Sequence, residues 1–224
     1  GKQGVLALLG DSTNVEAPGS TASESTIGET FHHIFAEAEG RIIVASFASH
    51  IHRVQQAINI GHLHGRKFAV SGRSMQKNVN IARNLGYLDV PDGAMIKLAD
   101  IDDYRPEEIL VLSTGSQGEP LSALTRMAFG GHSQVELREG DTVVISAKAI
   151  PGNEVSVMTT VNRLLKAGAR VIYGEGSGVH VSGHAAREDL RMMLNLLRPQ
   201  YLVPVHGEYR HQHLHAELAR EVGL

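Results

Sequence analysis

Cysteine is absent from the 224 residues, which excludes a disulfide framework and any thiolate metal site. A metal, if one is bound, must be held by histidines and carboxylates. Tryptophan is also missing, and aromatic residues make up only 4% of the chain. No apolar run approaches the roughly 18 residues that a membrane span needs, and no basic-then-apolar leader opens the sequence. The expectation is a soluble protein of a reducing compartment, the cytoplasm, with no membrane partner. Neither sign of charge predominates, because 21 Lys and Arg nearly balance 24 Asp and Glu and the net value is only −3. A nucleic-acid partner would therefore meet a local groove of cations or amides, since the protein as a whole is not basic. Histidine is plentiful by contrast, with 13 copies against 5 Phe and 5 Tyr. That excess directs attention to metal and acid–base chemistry, although roughly two thirds of these histidines are expected to be incidental.

Apolar β-branched runs alternate with helical patterns along the chain. Strands are expected at 5–9, 41–47, 67–71, 109–113, 142–147, 170–173 and 201–205, each apolar enough to be buried on both faces of a parallel sheet. Helices are expected at 50–64, 74–85, 121–128, 153–167, 186–197 and 209–222; Val157, Val161, Leu164 and Leu165 carry the helical spacing in one, and Leu190, Leu194 and Leu197 in another. This alternation predicts a layered α/β fold with a mostly parallel sheet flanked by helices. Residues 16–29 are polar, rich in Ser and Thr and broken by Pro18 and Gly19, as in a surface loop that then enters a helix. The Gly-rich stretch 174–183 is a long crossing, so the last strand–helix unit is expected outside the main sheet. A second domain is then expected from about residue 175, with 1–14 returning to it.

Several segments have the composition of a site. Asp11, in Leu9-Gly10-Asp11-Ser12-Thr13-Asn14, ends an apolar strand where α/β proteins place functional groups, or else forms an Asx-turn or cap. In Gly174–Ala185, glycines let backbone N–H groups converge on a phosphate, and His180, Ser182 and His184 add donors; a merely flexible loop explains the glycines but not the two histidines. Val203-Pro204-Val205-His206-Gly207-Glu208 delivers His206 at a strand end, as a zinc ligand or a structural histidine, with Glu208 able to orient it or cap the next helix. Ala45-Ser46-Phe47-Ala48-Ser49-His50 enters a helix whose free N–H groups suit either phosphate or capping. The Gly/Ser loop 113–120 is a further candidate for RNA sugar and phosphate contacts. His62 and His64, and His211, His213 and His215, are expected to be solvent-exposed residues of helices.

Taken in order, these motifs resemble the β-CASP family of metallo-β-lactamase nucleases, and its ribonuclease J branch in particular. The resemblance runs along the whole chain, through Gly10-Asp11-Ser12-Thr13-Asn14, Phe47-Ala48-Ser49-His50, Ser113-Thr114-Gly115-Ser116-Gln117-Gly118-Glu119-Pro120, His180-Val181-Ser182-Gly183-His184 and Pro204-Val205-His206-Gly207-Glu208. It implies a β-CASP domain at 15–175. The end of a metallo-β-lactamase αββα domain would lie at 1–14, and its return at 176–224. By the same resemblance Asp11 and His184 are catalytic and His206 is a zinc ligand. Ala48, Ser49, His50, His180, Val181, Ser182, Gly183 and His184 would hold the nucleotide phosphates. The implied activity is 5′-to-3′ exoribonuclease with endonuclease function in RNA processing and decay. The implied cofactor is two zinc ions, with manganese or magnesium as alternatives, and the implied partner is single-stranded RNA carrying a 5′-monophosphate. Dimers or tetramers are implied for the full-length protein. The family's HxHxDH motif and remaining metal ligands are expected upstream of residue 1, so this chain alone is expected to be inactive and to bind zinc poorly. A rival reading is a non-catalytic α/β domain that binds a nucleotide, phosphate or RNA through its glycine loops. That reading does not predict Asp11, His184 and His206 as a set.

Overall fold

A computed structural model of the chain describes residues 4–174 and 176–224. In chain order the elements are β1 (Ala7–Asp11), α1 (Thr26–Glu37), β2 (Ile42–Ala45), α2 (Ile51–Leu63), β3 (Lys67–Ser71) and α3 (Arg73–Asn84). Then follow β4 (Ile109–Ser113), α4 (Ala123–Ala128), β5 (Thr142–Ile145), α5 (Glu154–Lys166), β6 (Arg170–Ile172), α6 (Arg187–Leu197), β7 (Tyr201–Val205) and α7 (Tyr209–Glu221). Two compact units result, one of Gly1–Ser23 with Val181–Leu224, the other of Glu24–His180.

The larger unit is built on a five-stranded parallel sheet in the order β3-β4-β2-β5-β6. Each strand is short and β-branched, as a sheet covered on both faces requires, and β2, β4 and β5 are buried at every position. Register aligns Ala69, Val111, Ile43, Val143 and Val171 in one row across all five strands. That face packs on Leu124 and Met127 of α4 and on Val157, Val161 and Leu164 of α5. On α1, Ile27, Phe31, Ile34 and Phe35 recur at helical spacing and are buried. Gly61 of α2 lets Leu110, from the other sheet face, and Phe35 approach closely: a Cβ there would lie 2.9 Å from the Leu110 side chain. Truncating the middle of the row, Ile43→Ala, is expected to destabilise the unit by about 2–5 kcal/mol. Urea unfolding measures this directly, and a loss under about 1 kcal/mol would show that the row does not organise the core.

Because the chain leaves β2 for β3 and β4 on one side and reaches β5 on the other, the carboxyl ends of β4, β2 and β5 flank a topological switch point. The loops 46–50, 113–120 and 146–153 all start there.

In the smaller unit β1 and β7 form their own two-stranded parallel sheet. Leu8 and Leu202 pack against Val15, Leu190, Leu194, Leu218 and Ala219. The alternate residues Leu9, Tyr201 and Val203 are exposed, so burial on both faces does not hold for these strands: a two-stranded sheet covered by α6 and α7 has only one inner face. The expected first strand is also shifted, from 5–9 to Ala7–Asp11. Backbone pairing with Tyr201–Val205 fixes its extent, and it carries past the last apolar residue to Asp11, with the Ser12 N–H donating to the Val205 carbonyl at 2.9 Å.

Candidate active site

In the smaller unit the end of β1 is organised by Asp11. Its Oδ1 accepts from the Thr13 N–H at 2.8 Å and from the Thr13 hydroxyl at 2.7 Å, an Asx-type turn that aims Oδ2 outward. Oδ2 lies 2.5 Å from Nδ1 of His184. Asp11 therefore forms the local turn through one oxygen and leaves the other free to meet His184. Partial burial pushes the Asp11 pKa up, but the Thr13 N–H, the Thr13 hydroxyl and His184 outweigh it and hold the carboxyl at about 2. An ionised carboxylate can only accept, so Nδ1 carries the ring hydrogen and Nε2 is left for another partner.

His184 is held from its backbone as well. Its N–H donates to the Ser182 hydroxyl at 3.1 Å, and its carbonyl accepts from the Thr21 hydroxyl at 2.9 Å and from the Asn14 amide at 3.3 Å. His206 follows β7 with φ +63°, in the left-handed region, and Gly207 follows at +71°. A histidine in that conformation is strained, a cost of about 1–3 kcal/mol that clusters at functional sites. The bend leaves the imidazole exposed, its centroid 6.3 Å from that of His184. Glu208 does not orient it: the carboxylate pairs with Arg210 at 3.2 Å, and the Glu208 N–H donates to Nδ1 of His211.

His211 and His215 are buried, against the expectation of exposed surface histidines. The physical reason is their place on the inward stripe of α7, continued by Leu218 and Ala219. His211 accepts from the Glu208 N–H at 2.9 Å and has Nε2 3.3 Å from Glu16. His215 meets the buried Ser12 hydroxyl at 3.0 Å directly beneath β1, and a Cβ on Gly10 would come within 2.7 Å of its ring. His213 is exposed, as expected. His62 is exposed as well, whereas His64 is half-buried and meets the His32 ring edge-on with centroids 4.8 Å apart.

In the larger unit, His50 caps α2 by accepting the Arg53 N–H on Nδ1 at 3.3 Å. The Ala48 carbonyl accepts from Asn78 at 2.9 Å, and Ser49 is exposed at the mouth of the same turn. His180 has its Nδ1 buried with no hydrogen-bond partner, and burial, reinforced by Arg53, lowers its pKa. In the 113–120 loop, Ser116 and Gln117 are buried. The Gln117 amide is committed to the Lys148 carbonyl at 2.9 Å and the Ile150 N–H at 2.7 Å, so this side chain braces the neighbouring 146–153 loop instead of facing outward. Composition alone did not single out Glu24 and Arg53, which lie beside His50, or Ser146, which Arg53 holds.

A family model described as the ribonuclease J β-CASP domain matches residues 39–164. The chain belongs to the ribonuclease J β-CASP family. A second model, described as the RNA specificity domain of Zn-dependent metallo-hydrolases, matches residues 177–224. Ribonuclease J of Helicobacter pylori is 50% identical over all 224 residues, which cover 32% of its own length. Ribonuclease J2 of Bacillus subtilis is 46% identical over the whole chain, covering 40% of that protein, and ribonuclease J of Thermus thermophilus is 47% identical over 212 residues, or 95% of this chain and 37% of that one. The chain thus spans roughly a third of the length of these relatives. Among the described residues no helix is long and apolar enough to cross a membrane.

Proposed function

We propose that the chain is the β-CASP portion and the metallo-β-lactamase return of a zinc-dependent ribonuclease, with the β-CASP domain at 15–175 and 1–14 and 176–224 belonging to the metallo-β-lactamase part. The whole protein would cleave single-stranded, preferably 5′-monophosphorylated RNA from its 5′ end and internally, in the cytoplasm, as a dimer or tetramer. The observation that carries this reading is the Asp11–His184 pair with His206 beside it in a strained turn.

Among the described residues no three His, Asp or Glu side chains are placed together to hold a metal ion. His206 alone does not make a zinc site, so the donor set of this chain does not fit the group by itself and no step is derived through it. What the chain supplies is proton placement and phosphate binding. Asp11 fixes the His184 ring through Nδ1, and Nε2 then faces a phosphodiester oxygen as a hydrogen-bond or proton donor while charge develops there. In the smaller unit Ser182, Gly183 and the Val181 backbone would hold phosphate oxygens, and in the larger unit Ala48, Ser49, His50 and His180 would do so.

The test is cleavage of a 5′-monophosphorylated RNA, with zinc or manganese, by this chain and by a form extended upstream through an HxHxDH segment. Cleavage by the extended form alone, removed by His206→Ala, is the expected result. Cleavage by this chain alone would overturn the divided site. RNA binding without cleavage in either form would leave a binding domain.

A further inference from the structure

The most extensively bonded buried side chain of the larger unit does not belong to any of the motifs above. Arg53 lies on the inner face of α2 and is 1% exposed. Its Nε and Nη2 grip the two oxygens of Glu24 at 2.5 and 2.8 Å, a bidentate fork. Its Nη1 donates to the Ser146 carbonyl at 2.9 Å, the Ser146 hydroxyl at 2.6 Å and the Val179 carbonyl at 3.2 Å. The Ser146 hydroxyl donates onward to the same Val179 carbonyl at 2.5 Å. Glu24 opens this unit and His180 closes it. One guanidinium therefore ties the first residue of the unit, the end of β5 and the residue before His180 to the first turn of α2, while its backbone N–H holds the His50 ring.

We infer that Arg53 is a positioning residue for the substrate phosphate: it never touches RNA, but it sets the 176–180 segment so that His180, with its buried unpartnered Nδ1, and His50 are presented together. The inference rests on the ribonuclease reading above. His180 as a whole is only half-buried, so the rest of its ring can meet a ligand while the Nδ1 edge stays inside. Arg53 is suited to the task because only a planar fork serves Glu24, Ser146 and Val179 at once; a lysine ammonium cannot.

Steady-state cleavage by the extended, metal-loaded enzyme tests this with Arg53→Lys and Ser146→Ala, alongside binding of the same 5′-monophosphorylated RNA measured by fluorescence anisotropy. Both variants are expected to raise KM and weaken binding roughly tenfold, with kcat within about threefold of the parent and zinc content unchanged. A merely structural role would instead lower kcat through a smaller active fraction and leave KM and affinity alone, and that result overturns the inference. Should Arg53→Lys fail to fold, Ser146→Ala decides, since it removes one uncharged hydroxyl and keeps the Glu24 fork. If the unsubstituted enzyme does not cleave RNA, the ribonuclease reading falls, and unchanged RNA affinity in the variants then overturns the positioning role separately.

Discussion

Asp11→Asn in the extended enzyme is expected to lower the single-turnover cleavage rate by about 10²- to 10⁴-fold, the range general acid–base catalysis contributes. The size of the loss follows from the hydrogen-bond directions. Both donors of Thr13 point at Oδ1, so an asparagine must keep its amide oxygen there. Its NH₂ then replaces Oδ2, 2.5 Å from Nδ1 of His184, and two donors face each other unless the ring gives up its Nδ1 hydrogen. The imidazole is driven into the opposite tautomer and loses the negative partner that supports an imidazolium. Since the carboxyl is held at about 2, Asp11 keeps that charge throughout the neutral range. His184→Ala is expected to match this loss, and the double substitution to add little, because the pair acts as a unit. A rate within threefold of the parent for Asp11→Asn, with metal content unchanged, would remove the pair from the chemistry.

The legibility of this chain differs between its two halves for a physical reason. Strands buried on both faces announce themselves, and β2, β3, β4 and β5 fall within two residues of where their apolar runs lie. β1 is displaced because its end is fixed by hydrogen bonds to β7, which are indifferent to side-chain polarity and carry it through Gly10 to Asp11. In α1 the Ile27, Phe31, Ile34 and Phe35 spacing was present in the sequence, but the polar run before it hid where the helix begins. The buried His211 and His215 were also open to inference: followed backward from Ala219, the apolar stripe of α7 runs at intervals of four directly onto both. Asp11, His184 and His206 stood out because a strand end or a glycine loop delivers each of them. Arg53 did not, for its partners Glu24, Ser146 and Val179 are 29, 93 and 126 residues away and only the fold brings them together.

The same limit applies to the ion pair that closes the amino-terminal edge of the main sheet, where the largest stability effect is expected. Arg41 and Asp141 are each 2% exposed and meet through two bonds, Nε to Oδ1 at 2.9 Å and Nη2 to Oδ2 at 2.7 Å. Two further bonds serve the pair: Nη2 also donates to the Glu136 carbonyl at 2.6 Å, and Oδ2 accepts the Arg138 N–H at 2.8 Å. Beside the pair the backbones of Gly40 and Gly140 approach so closely that a Cβ on Gly40 would collide with the Gly140 carbonyl. Asp141→Ala therefore strands a buried guanidinium and is expected to cost about 3–5 kcal/mol, read as a lower urea midpoint at unchanged slope. Arg41→Met combined with Asp141→Leu is expected to recover most of that loss, because the penalty comes chiefly from the unpaired charge and not from the absence of a strong net attraction. If the single and double substitutions are equally destabilised, the pair itself contributes the stability, and the desolvation argument fails for this site.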